Sequence, residues 1–260
     1  MGMKWRLKAL GVLTVSVALV LSGGSAIAGA SSGTKPYTCN GGDIPSGNYA
    51  SITVKGVCAV PANAVISVAG SVIVAAGATL DAQSAPSTIT IGRDVTAAPG
   101  SLLGLGCQPP SYTDNSAHEC VVDPAGHSTI TVKGNITAIK AATVLLNGIT
   151  VKKNVTLLGG GDSPIPWSIK NNTIDGNLTV SGQTTEWLGV LFNRIGRNAT
   201  LLKINVTDTH PGAPGVYIVR NTVGRNLTCF GLTPGVSGGF VPGSVNVVGG
   251  NATGQCAALV

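Results

Sequence analysis

The chain has 260 residues, 37 of them Gly and 14 Pro, with 10% charged and 4% aromatic residues. So little charge excludes a disordered polyelectrolyte, and so few aromatics leave a core to be filled by Val, Ile, Leu and Ala. The formal net charge is +6, and beyond three cations in the first ten residues the Lys and Arg are scattered with no basic block, which argues against a nucleic-acid interface.

The first element is not part of the fold. MGMKWRLKAL carries Lys4, Arg6 and Lys8, GVLTVSVALVLSGG is mainly apolar, and SAIAGASSG offers small residues at signal-peptidase spacing. Residues 1–30 are therefore predicted to be a secretory signal peptide, cleaved after Ala28 or Ala30. Its apolar stretch is short for a membrane span. The exported chain keeps 13 basic residues against 10 acidic ones, a net of about +3.

Residues 31–260 are predicted to form one domain. All six cysteines lie in it, and in an oxidising compartment an even count reads as disulfides. Their clustering favours Cys39 with Cys58, Cys107 with Cys120, and Cys229 with Cys256, among the 15 pairings that six cysteines allow.

After Cys58 come short β-branched runs broken by Gly, Asn, Pro or Ser, such as AVISVAGSVIVAAGATL and STITIG. Helical periodicity is nearly absent. The first copy of a six-residue motif follows, IGRDVT (91–96). It recurs as VKGNIT (132–137), VKKNVT (151–156), IDGNLT (174–179), IGRNAT (195–200), VGRNLT (223–228) and VGGNAT (248–253). The motif's Asn (Asp in the first copy) recurs at intervals of 41, 19, 23, 21, 28 and 25 residues, a period that means a solenoid. The last four copies carry a second Asn five residues earlier, at Asn172, Asn193, Asn221 and Asn246.

Three short strands and three turns per repeat describe one coil of a single-stranded parallel β-helix, all-β and predicted right-handed. About ten coils fit between Cys39 and Cys256, giving a rod roughly 45 to 50 Å long at the spacing of hydrogen-bonded strands. Alternation sends Leu178 and Val180 inward, with Asn177 and Thr179 out or into the turn. Gly before Asn is expected to take a left-handed corner conformation. The Asn amides are expected to ladder from coil to coil. Disulfides near both ends would clamp the caps.

TCNGGDIPSGNYASITVKGVCAVPANA, the repeated IGxNLT-like corners and NVVGGNATGQCAAL together resemble a group of exported actinobacterial proteins of unassigned function, predicted as parallel β-helices. The likeness covers nearly the whole exported chain. It implies fold and export, and it brings no catalytic motif.

Polar residues concentrate in one insert, 107–128, where Asp114, His118 and Glu119 lie between Cys107 and Cys120. The pair of Cys and pair of His there has zinc-ligand chemistry, but in an exported protein a disulfide-closed surface loop is the expectation. Trp167 and Trp187 are 20 residues apart, close to one coil. They are either a stacked sugar platform or core fillers, burial being the expectation. The Thr of each motif copy would form an outward row suited to ice or a crystalline polymer, or would simply be good strand surface. Arg194, Arg197, Arg220 and Arg225 fall near matching corners, a stripe able to meet anionic wall polymers. The Asn-x-Thr matches to a glycosylation acceptor follow from repeat geometry.

These features point to a secreted, non-catalytic structural or adhesive protein at the cell envelope or outside the cell. No catalytic residue, cofactor or metal is assigned. Its expected partner is a cell-wall or extracellular polysaccharide, or itself, with no nucleic acid and no membrane span after cleavage. The alternative is an extracellular lyase or glycoside hydrolase with its site near 107–128, since such enzymes require a pair of carboxylates at one bond.

Overall fold

The computed structural model describes residues 34–161, 163–208, 215–238 and 244–260. The predicted signal peptide, 1–30, lies outside the described residues. From Lys35 on, the chain is a parallel β-helix of stacked coils. A typical coil runs Thr143–Asn147, Thr150–Val151 and Val155–Leu158, and the next repeats it as Trp167–Lys170, Thr173–Ile174 and Leu178–Ser181. The first strand of each coil joins a nine-stranded sheet, and the other two join an 18-stranded sheet folded over two faces. A 3₁₀ turn, Gln255–Leu259, closes the C-terminal end.

Because every strand pairs in parallel with its counterpart one coil away, like positions stack in columns. One inward column runs Val95, Ile136, Val155, Leu178, Ala199, Leu227, all buried. The residues between them point out, which is the period-two alternation read in GNLTV. Burying five or six aliphatic columns needs no large ring, so the scarcity of aromatics is a consequence of the narrow cross-section.

The corners are held by two amide ladders of opposite polarity. In the buried one, the Asn172 side-chain amide donates to Asn193 Oδ1 at 3.0 Å, Asn193 to Asn221 and Asn221 to Asn246 at 2.9 Å each. Each amide's second N–H goes to a backbone carbonyl, as from Asn193 to Ile169 at 2.8 Å. The ladder ends at Asn246, which donates to the carbonyl of Leu259 in the closing 3₁₀ turn at 2.9 Å. These are the second Asn of the last four repeats, and every donor in the ladder is satisfied in the dry interior, where an orphan would be costly.

The corner backbone differs from the sequence expectation. Gly134 and Gly176, before the outer Asn, are not left-handed; the left-handed residues are Gly148, Asn171, Phe192 and Arg220 at one corner and Lys140, Gly159, Gly182, Lys203 and Gly231 at another. Gly134 and Gly176 are constrained by space instead, since a Cβ at either would lie 2.5 Å from a carbonyl oxygen one coil before. Close approach and not φ selects glycine there.

Three disulfides join Cys39 to Cys58, Cys107 to Cys120 and Cys229 to Cys256. The last ties the closing turn to the strand Leu227–Phe230, so it fixes the cap that terminates the buried ladder.

Two stability measurements follow. Replacing Asn193 by Leu removes the acceptor for both the backbone and the side-chain N–H of Asn172, and a urea titration should show a loss of about 3 kcal/mol from two orphaned buried donors. The same change at half-exposed Asn177 should cost about 1 kcal/mol, because water replaces the lost partner. Opening Cys229–Cys256 by Ser substitution at both positions, across a separation of 27 residues, should cost about 3.5 kcal/mol by loop entropy. It should also raise amide exchange in 255–259 first.

Candidate functional site

The outward side of the folded sheet carries a column that runs the length of the sheet. Thr38, Thr53, Ile73, Thr96, Thr137, Thr156, Thr179, Thr200, Thr228 and Thr253 stand in register, one per coil. Two residues before each motif Thr stands the motif Asn, and from Asn135 to Asn226 the two columns line a groove of about 550 Å³. Every residue that lines it is Asn or Thr.

The Asn column is the second ladder, and it runs the other way. Asn154 donates from both its backbone and side-chain nitrogen to Asn135 Oδ1, at 3.2 and 3.1 Å. Asn177 does the same to Asn154, and Asn198 to Asn177, at 2.9 to 3.1 Å. The amides point toward the N-terminal coils, so the series needs an acceptor there. Asp94 supplies it, its Oδ1 receiving the Asn135 backbone and side-chain nitrogens at 2.7 and 2.9 Å. An acid in place of Asn at the first repeat is thus a ladder terminator, since a carboxylate has no donor to leave unpaired. The backbone N–H of Asn135, then its side chain, hold the Asp94 carboxyl below its ordinary range.

Each ladder amide spends one N–H on its neighbour and retains one with no second acceptor among the described residues. The hydroxyls of Thr137, Thr156, Thr179 and Thr200 likewise make no hydrogen bond there. The groove is a preformed array of donors and hydroxyls, repeating at about 4.8 Å, the spacing of hydrogen-bonded strands. On one side it is bordered by exposed Arg93, Lys153, Arg197 and Arg225. On the other, two residues past the Thr column, stand exposed Ile139, Leu158 and Phe230.

The residues singled out in the insert are placed elsewhere. Pro110–Thr113 forms one helical turn ended by left-handed Asp114. Tyr112 stacks on His127 with centroids 4.3 Å apart. Asn115 exchanges two amide bonds with Asn171, at 2.9 and 3.0 Å, which dock the insert on the neighbouring coil. His118 faces inward against the Gln83 amide. Its pKa is lowered by burial, with Lys170 adding to the effect and Asp81 opposing it, so the imidazole is neutral near neutral pH. Asp114 and Glu119 are exposed. Among the described residues no three His, Cys, Asp or Glu side chains gather as a metal site would require, and Cys107 and Cys120 are spent on each other.

The tryptophans do not stack. Trp167 pairs with Leu188, one position beyond Trp187, and a one-residue offset sends neighbouring side chains to opposite faces. Trp167 is fully buried, its indole N–H donating to the Ala142 carbonyl at 3.1 Å. It is therefore not available to a ligand. Trp187 lies half-exposed on the outer side, 5.3 Å from the Tyr217 ring. Sequence reading offers the outward Thr row as a candidate polymer-binding face beside its reading as plain strand surface; what it lacks is that the register sets the Asn amides beside that row in one groove and leaves a donor on each unspent.

Asp94 gives a pH signature. With its folded pKa depressed, its contribution is present above the ordinary carboxylate value and disappears as pH falls through the lower folded one. The melting temperature should decline across that acidic window, and in D94N, which keeps the acceptor oxygen but cannot titrate, this component of the decline should be absent.

No protein-family model matches this chain, and neither a curated protein nor a solved structure matches it significantly.

Proposed function

We propose that this is a secreted, non-catalytic adhesive β-solenoid that holds an extended extracellular polymer along its axis. The observation that carries the reading is the groove from Asn135 to Thr228, where the second amide N–H of Asn135, Asn154, Asn177 and Asn198 and the hydroxyls of Thr137, Thr156, Thr179 and Thr200 repeat once per coil without a partner among the described residues. A compact substrate would use one or two of these equivalent stations. A chain with its own repeat uses them all, and a rigid β-helix presents them without ordering cost on the protein side.

The disulfides accord with an oxidising, extracellular setting, and among the described residues no helix is long and apolar enough to cross a membrane. Export and a place at the envelope follow from the leader-like residues 1–30 and from the likeness to exported actinobacterial β-helices. The enzyme alternative draws no support from the insert, where Asp114 and Glu119 are surface groups and His118 is turned toward Gln83.

The test is co-sedimentation of the purified protein with insoluble wall and plant polysaccharides, with a parallel assay for new chain ends. Binding to at least one polymer without new ends is expected. The triple change T156V, T179V and T200V keeps the shape and removes three hydroxyls, and it should weaken binding about ten- to a hundredfold at 0.5–1 kcal/mol for each hydrogen bond. New chain ends that vanish in D114A/E119A would instead establish the enzyme.

A further inference from the structure

The position immediately before each ladder Asn forms a column of its own. Gly134 N–H donates to the Arg93 carbonyl at 3.0 Å, Gly176 to Lys153 at 2.9 Å, Arg197 to Gly176 and Arg225 to Arg197 at 3.0 Å each. Read from the N-terminal side, the column is Arg93, Gly134, Lys153, Gly176, Arg197, Arg225. Cations thus occupy alternate coils over its first five positions, about 9.6 Å apart at two strand spacings, and one more follows directly. The intervening glycines leave each long side chain open to solvent, and all four cations are exposed.

Asp94 keeps its charge and attracts Lys153 and Arg93 at the N-terminal end of the column, Asp175 pairs with Lys152, outside this column, at 3.2 Å, and the charge of the column is therefore carried most fully by Arg197 and Arg225. Lys153, Arg197 and Arg225 flank the groove as a basic ridge, with Arg93 one coil beyond its N-terminal end.

Resting on the reading that the groove holds an axial polymer, we infer that this polymer is an acidic linear polysaccharide. Its carboxylates lie against Arg93, Lys153, Arg197 and Arg225, and its ring hydroxyls meet the Asn amides and Thr hydroxyls. The two-coil interval between cations is close to the length of a disaccharide, the natural repeat of such a chain. Guanidinium groups suit planar carboxylates. On the far rim Ile139, Leu158 and Phe230 offer the apolar contact that the C–H face of a sugar ring takes and a polyol phosphate lacks. A single-stranded nucleic acid fits poorly, because no groove-lining residue is aromatic and base stacking supplies much of its affinity.

The experiment is titration of the purified protein with fluorescent oligogalacturonate long enough to span the groove, against cello-oligosaccharide and poly(glycerol phosphate) of similar length. The expected result is strongest binding to oligogalacturonate, weakened by added salt. K153E/R197E should weaken it about tenfold or more by reversing two ridge charges, and T156V/T179V should weaken it as well. Both variants alter outward side chains, and unchanged melting curves would verify their fold. Cello-oligosaccharide binding as tight, and indifferent to K153E/R197E, would overturn the acidic ligand while leaving the groove reading intact. Equal binding of poly(glycerol phosphate), with T156V/T179V without effect, would overturn the sugar and leave only charge. No binding to any of the three would overturn both.

Discussion

Parallel stacking in register is the constraint on which everything else depends. Each coil's backbone N–H and C=O groups find partners in the coils above and below, so no position can be chosen alone. A residue must suit its neighbours in the column, above and below. Aliphatic columns meet this condition by interdigitation, as in Val95 through Leu227. Asn meets it by carrying a donor and an acceptor on one short side chain, so that a column of Asn satisfies itself.

Self-satisfying columns have ends, and the ends explain the exceptions. The buried ladder runs out of acceptors at Asn246 and takes the Leu259 carbonyl, held in place through Cys229–Cys256. The outer ladder has the opposite polarity and runs out of acceptors at its N-terminal end, where the repeat changes from Asn to Asp94. The two irregularities, a disulfide-tied turn at the C-terminal end of the rod and a single acid in its fourth coil, answer the same requirement where each ladder stops.

The same constraint shapes what the surface is able to do. An outward column repeats whatever group it carries, so a single weak hydrogen-bonding station becomes a line of equivalent stations. In the groove, Asn135, Asn154, Asn177 and Asn198 each give one side-chain N–H to the ladder and keep one for solvent or ligand, and the hydroxyls of Thr137, Thr156, Thr179 and Thr200 have no partner among the described residues. In the buried ladder the second N–H is consumed by backbone carbonyls. One residue type, at two corners, is thus structural in one place and presented in the other, and burial makes the difference.

Much of this was legible in the chain itself. The repeat interval and the β-branched runs specify a solenoid, alternation in GNLTV specifies which of Leu178 and Thr179 is inside, and local cysteine clustering matches the disulfides. These are local properties, set by period-two geometry and short loops. Register was not local. A one-residue offset separates Trp167 from Trp187 although their spacing equals a coil. The polarity of each ladder, the reason for Gly134 and Gly176, and the second role of Asn172 to Asn246 all depend on which atoms face one another across coils. The candidate site belongs to that second class: the sequence by itself determined that Asn and Thr recur, and only the tertiary structure decided that they line one groove, because a column exists only once coils are stacked.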